Sequence, residues 1–323
     1  MKIAYFDCYA GAGGDMIAAC LIDAGLEREF LAGQLCTLGI GEFDIRIESV
    51  ERSSIAAVSF KPEAPKEKPH RNLDDILGLI GSSGISDKAK KDAAGIFRIL
   101  AEAEAGVHGK SVEQVHFHEV GAFDSIIDIT AAAVGFDALG IEKVVCSPLS
   151  VGGGTVKIAH GDVPVPAPAT VEILKRAEAP ISGGPVDAEI LTPTAAAVLT
   201  YYADEYGPVP AMSIDAVGYG AGTMEFDRLA NVLRVVIGRS AGAGNADTDS
   251  VCLLEANVDD VSGEVIGYVT EKLMECGALD VYRTAIQMKK NRPGVKISVL
   301  SSLQLAREME KILFDEGITF GIR

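Results

Sequence analysis

The chain has 323 residues, and its 29 Lys plus Arg stand against 46 Asp plus Glu, a formal net charge of −17. At roughly 100–200 residues per domain this length predicts two domains, and a hydrophobic share of 48% excludes a mostly disordered chain. The acidic balance argues against nucleic acid or an anionic membrane as a partner, and no apolar run reaches the roughly 18–20 residues needed to span a bilayer.

Lys2–Phe6 reads as a first strand, followed by the glycine-rich turn Ala10–Gly14 and a helix over Met16–Asp23 that Asp15 is placed to cap. Phe43–Val50 and Ala56–Phe60 read as paired strands, and Lys61–Asn72, with three prolines and alternating charge, as an exposed loop. Helices are predicted over Asp74–Gly81 and from Asp87 to Ala105. Val115–Glu119 reads as a strand, and an Ala-rich, buried helix opens at Asp124. Val144–Pro148 is a further strand, Gly152–Val156 a glycine turn, and Pro164–Ala167 a rigid elbow into a helix over Ala169–Arg176. Thr192 and Pro193 suit the N-cap and first position of a helix through Tyr202. Val217–Gly222 (VGYGAG) reads as another glycine turn and Val232–Ile237 as the last strand of this unit.

The small, polar stretch Arg239–Asp249 reads as a linker. Beyond it the predicted order is strand Val251–Val258, helix Gly263–Cys276, strands Leu279–Met288 and Val295–Leu300, and helix Leu303–Glu316. That β-α-β-β-α order calls for one more strand, which Ile318–Ile322 would begin. The fold class is thus α/β (α+β): an N-terminal α/β domain with Gly-rich turns over residues 1–238, a linker at 239–249, and a ferredoxin-like C-terminal domain over 250–323, incomplete by its last strand. Six cysteines stand singly with no CxxC pair, a pattern of reduced thiols and a cytoplasmic chain.

Four of the five histidines fall within 53 residues, at 108, 116, 118 and 160. His116 and His118 share one face of a strand, Glu119 follows, and Asp124 and Asp128 are neighbours on a helix face. Imidazole with carboxylate suits a divalent transition metal, although His-x-His is equally a half-exposed strand pattern and Asp124 an N-cap. Between the first strand and helix, Gly11, Gly13, Gly14 and Asp15 form either an anion-binding or simply a tight βα turn. Asp7 and Cys8 stand at the strand's carboxyl end, where open α/β sheets keep site residues, and His160 precedes the proline elbow. In the second domain Asp259 and Asp260 end a strand, and Lys289, Lys290 and Arg292 form a cationic hairpin. Such a pair suits a divalent metal carrying a polyphosphate, or else a solvated hairpin tip beside a helix cap.

Taken together, FDCYAGAGGDM, VHFHEVGAFDSI, HGDVPVPAPAT, LTPTAAA, VGYGAG, NVLRV, ANVDD, GALDV and MKKNRPG stand in the order and spacing of the LarC family, which this chain resembles throughout its length. The resemblance implies insertion of Ni(II) into pyridinium-3,5-bisthiocarboxylic acid mononucleotide, with hydrolysis of CTP and a divalent ion, Mn(II) or Mg(II). The product would be the nickel-pincer cofactor of lactate racemase-type enzymes, with an apo racemase as downstream partner. The resemblance further implies a homo-oligomer. It places nickel near His116, His118, Glu119, Asp124 and Asp128, and metal–CTP at Asp259, Asp260, Lys289, Lys290 and Arg292. A non-catalytic nickel metallochaperone and a metal-dependent phosphohydrolase are the competing readings. This chain departs from the family in carrying only His70 in the loop KPEAPKEKPHRN, in reading Thr192-Pro193-Thr194-Ala195 for the family's TPTG, and in ending at GITFGIR.

Overall fold

The computed structural model describes residues 1–63, 71–112, 123–158, 161–240 and 251–323. The chain divides into two units, Met1–Gly242 and Ala243–Arg323. In the first, chain order is β1 (Lys2–Asp7), α1 (Gly14–Asp23), α2 (Arg28–Cys36), β2 (Asp44–Arg52), β3 (Ile55–Glu63), α3 (Leu73–Ser82), α4 (Asp87–His108), α5 (Phe123–Ala138), β4 (Lys143–Cys146), β5 (Leu149–Ser150), β6 (Thr155–Ile158), β7 (Gly161–Pro164), α6 (Pro168–Arg176), β8 (Ile181–Ser182), α7 (Pro193–Tyr202), β9 (Glu205–Tyr206), β10 (Met212–Ala221) and β11 (Val232–Ser240). The fold is α/β, as expected, built on a seven-stranded mixed sheet of order β2-β3-β10-β11-β1-β4-β9.

The two faces of that sheet differ. Ala4 and Phe6 of β1 point into the main core with helices α1, α2, α4, α5 and α7, whereas Ile3 and Tyr5 join Val145 and Val236 in a small cluster on the other face. Helix α5 is buried from Ser125 to Phe136, with Asp124 exposed at its start, because it lies against α1, α4 and α7 at once. Between α4 and α7 the buried Asp92 accepts hydrogen bonds from the hydroxyls of both Tyr201 and Tyr202, each at 3.0 Å. A buried carboxylate is tolerated there because both oxygens are paired.

The expected glycine turn VGYGAG is instead the end of β10. Its glycines serve close packing: a Cβ on Gly218 would lie 2.0 Å from the Cys20 carbonyl oxygen, and one on Gly220 would lie 2.0 Å from that of Met16. Helix α1 therefore lies directly on the backbone of β10. Asp15 does not cap α1; the N-cap position is Gly13, and the Asp15 carboxylate accepts from the Met16 N–H at 2.9 Å. The Thr192 cap and Pro193 of α7 form as expected, with the Thr192 hydroxyl accepting from Ala195 N–H. The proline elbow holds a cis Val165–Pro166 peptide. Arg239 and Ser240, at the start of the expected linker, belong to β11.

In the second unit β12 (Val251–Val258), α8 (Gly263–Glu275), β13 (Asp280–Met288), β14 (Arg292–Ser302) and α9 (Ala306–Asp315) form an antiparallel sheet of order β12-β14-β13 with two helices. Leu254, Ile266, Val269, Leu273, Val299 and Leu313 make its core. Residues 318–322 are not a strand, yet Arg323 exchanges both backbone hydrogen bonds with Glu255 on the free edge of β12. That is the position an outer strand of a β-α-β-β-α-β pattern takes. Among the described residues no helix is long and apolar enough to cross a membrane.

The close approach of α1 to β10 gives a direct test. Gly220→Ala forces helix and strand apart and should cost about 1–3 kcal/mol or more, read as a fall in thermal unfolding midpoint. Gly33→Ala, in an exposed stretch of α2 with nothing within 4 Å of the new methyl, should instead raise stability by up to about 1 kcal/mol.

Candidate functional site

The turn between β1 and α1 folds back on itself and is tied to the segment entering α7. Cys8 N–H donates to Ser147 Oγ at 2.9 Å and Gly11 N–H to the Cys8 carbonyl at 3.0 Å. Ala12 N–H donates to Ile190 O at 2.7 Å, and Thr192 N–H to Ala12 O at 3.1 Å. Gly11 sits at φ +81°, and a Cβ there would be 2.0 Å from Ile190 O, so position 11 needs glycine on both counts. A Cβ on Gly14 would lie 2.7 Å from Asp128 Oδ2 and 2.8 Å from Thr194 Cγ2. The starts of α1, α5 and α7 thereby meet, with Ser125 Oγ and Thr194 Oγ1 3.3 Å apart.

Carboxylates gather at this junction. Asp128 is buried, and its Oδ1 has no hydrogen-bond partner among the described residues. Burial first, then Asp15 and Asp124, pushes its pKa well above the usual carboxylate range. Asp15 is pushed up to about 6, chiefly by burial, against the lowering effect of the Met16 N–H, its own backbone amide and Lys61. Crowded, desolvated carboxylates of this kind favour either a proton or a cation. Asp124, Asp128 and Asp15 are thus brought into one electrostatic group. Among the described residues no three His, Cys, Asp or Glu side chains form a set able to hold a metal ion. His116, His118, Glu119 and His160 lie outside the described residues.

Cys8 is fully enclosed, and burial, with Cys146 and Asp7 nearby, drives its thiol pKa well up, so its sulfur stays protonated inside the core. Asp7, on the opposite face of β1, forms an ion pair with Arg234 of β11. Sequence reasoning passed over Arg234, although it is the one charged side chain in the apolar run Val232–Gly238. It also passed over Ser125 and Thr194, whose hydroxyls only the packing of α5 on α7 brings together.

In the second unit, Asp259 follows β12 and lies 3.6 Å, Oδ2 to Nη1, from Arg292 at the start of β14. Lys289–Asn291 form a tight turn between β13 and β14, with Lys290 at φ 60° and Asn291 at φ 57°. Asp260 is exposed, as are Lys289 and Lys290. The hairpin tip thus stands at the end of the sheet from which β12 runs out to Asp259 and the Ser262-capped start of α8.

The raised pKa of Asp15 has a consequence for stability. Its folded-state value of about 6 lies above the ordinary 3.8, so the folded chain holds this proton more tightly than the unfolded chain. The stabilisation is complete below about pH 4 and is lost as pH climbs through 6, by roughly 3 kcal/mol. With chelator present, Asp15→Asn should flatten the difference in denaturant stability between pH 5 and 7.5 relative to wild type; parallel profiles would exclude the effect.

The chain matches the sequence model of a family described as "Nickel insertion protein" over residues 4–323. The pyridinium-3,5-bisthiocarboxylic acid mononucleotide nickel insertion protein of Desulfitobacterium hafniense is 43% identical, covering 100% of this chain and 81% of that protein. The protein of the same description from Acetivibrio thermocellus is 42% identical, with the same 100% and 81% coverage. A solved structure described as LarC2, the C-terminal domain of a cyclometallase involved in the synthesis of the NPN cofactor of lactate racemase, apo form, is 44% identical over 23% of this chain and 52% of that one, at a TM-score of 0.23. The whole-length match and these identities make the chain a member of the nickel insertion protein family.

Proposed function

We propose that this chain inserts Ni(II) into pyridinium-3,5-bisthiocarboxylic acid mononucleotide, the compound in the relatives' names, and that CTP with Mn(II) or Mg(II) drives the step. The observation that carries the reading is the gathering of half-buried Asp15 and buried Asp128 at the meeting of three helix starts, with Asp128 Oδ1 unpartnered among the described residues. An arriving divalent cation offsets the burial that raises both carboxyl pKa values, so these acids are suited to receive nickel as a transient cargo. Asp124 adds charge from the same helix start. His116, His118 and Glu119, just before α5 in sequence, supply the imidazole and carboxylate that nickel prefers over a site of oxygens alone.

In the second unit we assign metal–CTP to Asp259 and Asp260, with Lys289, Lys290 and Arg292 on the triphosphate. The supporting observation is that Asp259 and Arg292 already stand within an ion-pair distance. A metal-bound triphosphate would give the carboxylates a divalent partner and the guanidinium a phosphate fork. When bound, the metal ion offsets charge that develops as the triphosphate is cleaved. The chain belongs, on this reading, to the cytoplasmic maturation of a lactate racemase-type enzyme.

The chain incubated with the mononucleotide, Ni(II), Mn(II) and CTP should yield a nickel-bearing product by mass spectrometry that activates an apo racemase. Nickel bound in stoichiometric amount with no product formed would favour a metallochaperone instead. Asp128→Asn, and separately the double change His116→Ala with His118→Ala, should each lower nickel affinity at least tenfold in a metal-content titration; unchanged affinity removes the altered residue from the nickel path. Lys289→Ala with Lys290→Ala should weaken CTP binding at least tenfold by calorimetry with nickel binding unaltered.

A further inference from the structure

We infer that the face of the large sheet turned away from its helices carries a pocket for the ribose-phosphate and ring of a pyridinium mononucleotide, built from Arg228, Arg234, Tyr9 and Tyr219. The identity of the nucleotide rests on the nickel-insertion reading; the class of ligand rests on the pocket itself. The cavity measures about 360 Å³ and is lined by Asp7, Tyr9, Ile55, Tyr219, Arg228 and Arg234 among others. That volume lies at the lower end of the range for small-molecule sites, roughly 300–1,000 Å³.

Its wall follows from strand register. Asp7 of β1 pairs with Arg234 of β11, and Arg234 pairs with Tyr219 of β10, so the three side chains form one row across three adjacent strands. Arg234 is held on one side by the Asp7 carboxylate, and Tyr219 stands beside it in register on the other. A guanidinium fixed in this way keeps donors for an incoming anion at little further cost in side-chain entropy. Beneath the row lie the apolar Val232 and Leu229. Arg228, exposed at the rim, makes no ion pair with the described residues. Two guanidiniums against one carboxylate leave the pocket net positive on a chain of charge −17, which suits a phosphate monoester with its −1.5 to −2 charge, roughly, at neutral pH.

The aromatic half of the ligand is accommodated too. Tyr9 lines the cavity and is 64% exposed, which leaves its ring open to a ligand. A pyridinium ring is both aromatic and cationic, and tyrosine faces attract cations. The location agrees with where open α/β sheets hold ligands, outside the carboxyl end of a strand. The turn that sets Tyr9 in this wall continues directly into Gly14 and Asp15 at the carboxylate junction. A nucleotide anchored by its phosphate at the arginines would therefore occupy the same strand end as the nickel-receiving pair.

The test is calorimetric titration of the full chain with nicotinic acid mononucleotide, a pyridinium carboxylate bearing ribose 5′-phosphate, and with ribose 5-phosphate as the ring-free control, in the absence of nickel and CTP. The expected result is saturable 1:1 binding of the mononucleotide. Arg228→Ala should weaken both probes at least tenfold, with Arg228→Lys recovering part of the loss. Tyr9→Ala should weaken the mononucleotide several-fold and leave ribose 5-phosphate unchanged. Both side chains are exposed, so thermal melts of the variants should match wild type. Absence of saturable binding by wild type, or equal affinity of wild type, Arg228→Ala and Tyr9→Ala, overturns the assignment. Because no nickel or turnover enters this measurement, its failure leaves the insertion assay to stand on its own result, and a failed insertion assay leaves the binding result intact.

Discussion

Contact without side chains governs the first unit. Helix α1 lies on β10 at a distance that only hydrogen at Gly218 and Gly220 permits, since a methyl at either would collide with a helix carbonyl oxygen. The same condition recurs at Gly11 against Ile190 and at Gly14 against Asp128 and Thr194. Interiors are packed like crystals, so a helix seated this low carries everything bonded to its start with it. The start of α1 is thereby pressed against α5 and α7, and Asp15 is brought close enough to add to the rise that burial gives Asp128's pKa. The carboxylate junction is thus a consequence of backbone packing, and the glycines are as much part of it as the acids.

That junction works against stability at neutral pH. A buried carboxyl with an unsatisfied oxygen is among the costlier arrangements a fold can keep, and the contrast with Asp92 is instructive. Asp92 is equally enclosed, yet two tyrosine hydroxyls satisfy its two oxygens. Asp128 has one oxygen without a partner among the described residues and two further acids nearby. One carboxylate is a structural clasp between helices; the other is left with an oxygen unpartnered among the described residues, the feature on which the proposed nickel path rests.

Much of the fold was legible because its signals are local. The Thr192 cap, the apolar period of α4 and the alternation in β12 each depend on a few neighbouring residues, and each element formed within a few positions of expectation. Helix α2 went unread, and Lys61–Glu63 belongs to β3 rather than to a loop; two other failures were of one kind. VGYGAG has the composition of a turn, and nothing local distinguishes a glycine that bends the chain from one that lets a helix rest on a strand; the difference lies in Met16 and Cys20, some 200 residues away. Asp15 looked like a cap for the same reason, its true neighbours being on α5. The cationic hairpin and its aspartates were readable because the β13–β14 turn is local, whereas the row Asp7–Arg234–Tyr219 requires the register of three strands drawn from both ends of the unit.

The net charge of −17 takes on a different meaning once positions are known. An acidic surface repels a phosphate-bearing compound at long range, so any capture must come from local fields strong enough to act within a Debye length, about 8 Å at physiological salt. The chain keeps such places in both units: Arg228 and Arg234 on the sheet face of the first, and in the second a stretch from Val281 to Arg307 free of Asp and Glu that includes Lys289, Lys290 and Arg292. On the proposed reading these basic places hold the anionic ligands, Asp15 and Asp128 in one unit and Asp259 and Asp260 in the other hold the cation, and the surrounding acidity discourages phosphates from settling elsewhere on the molecule.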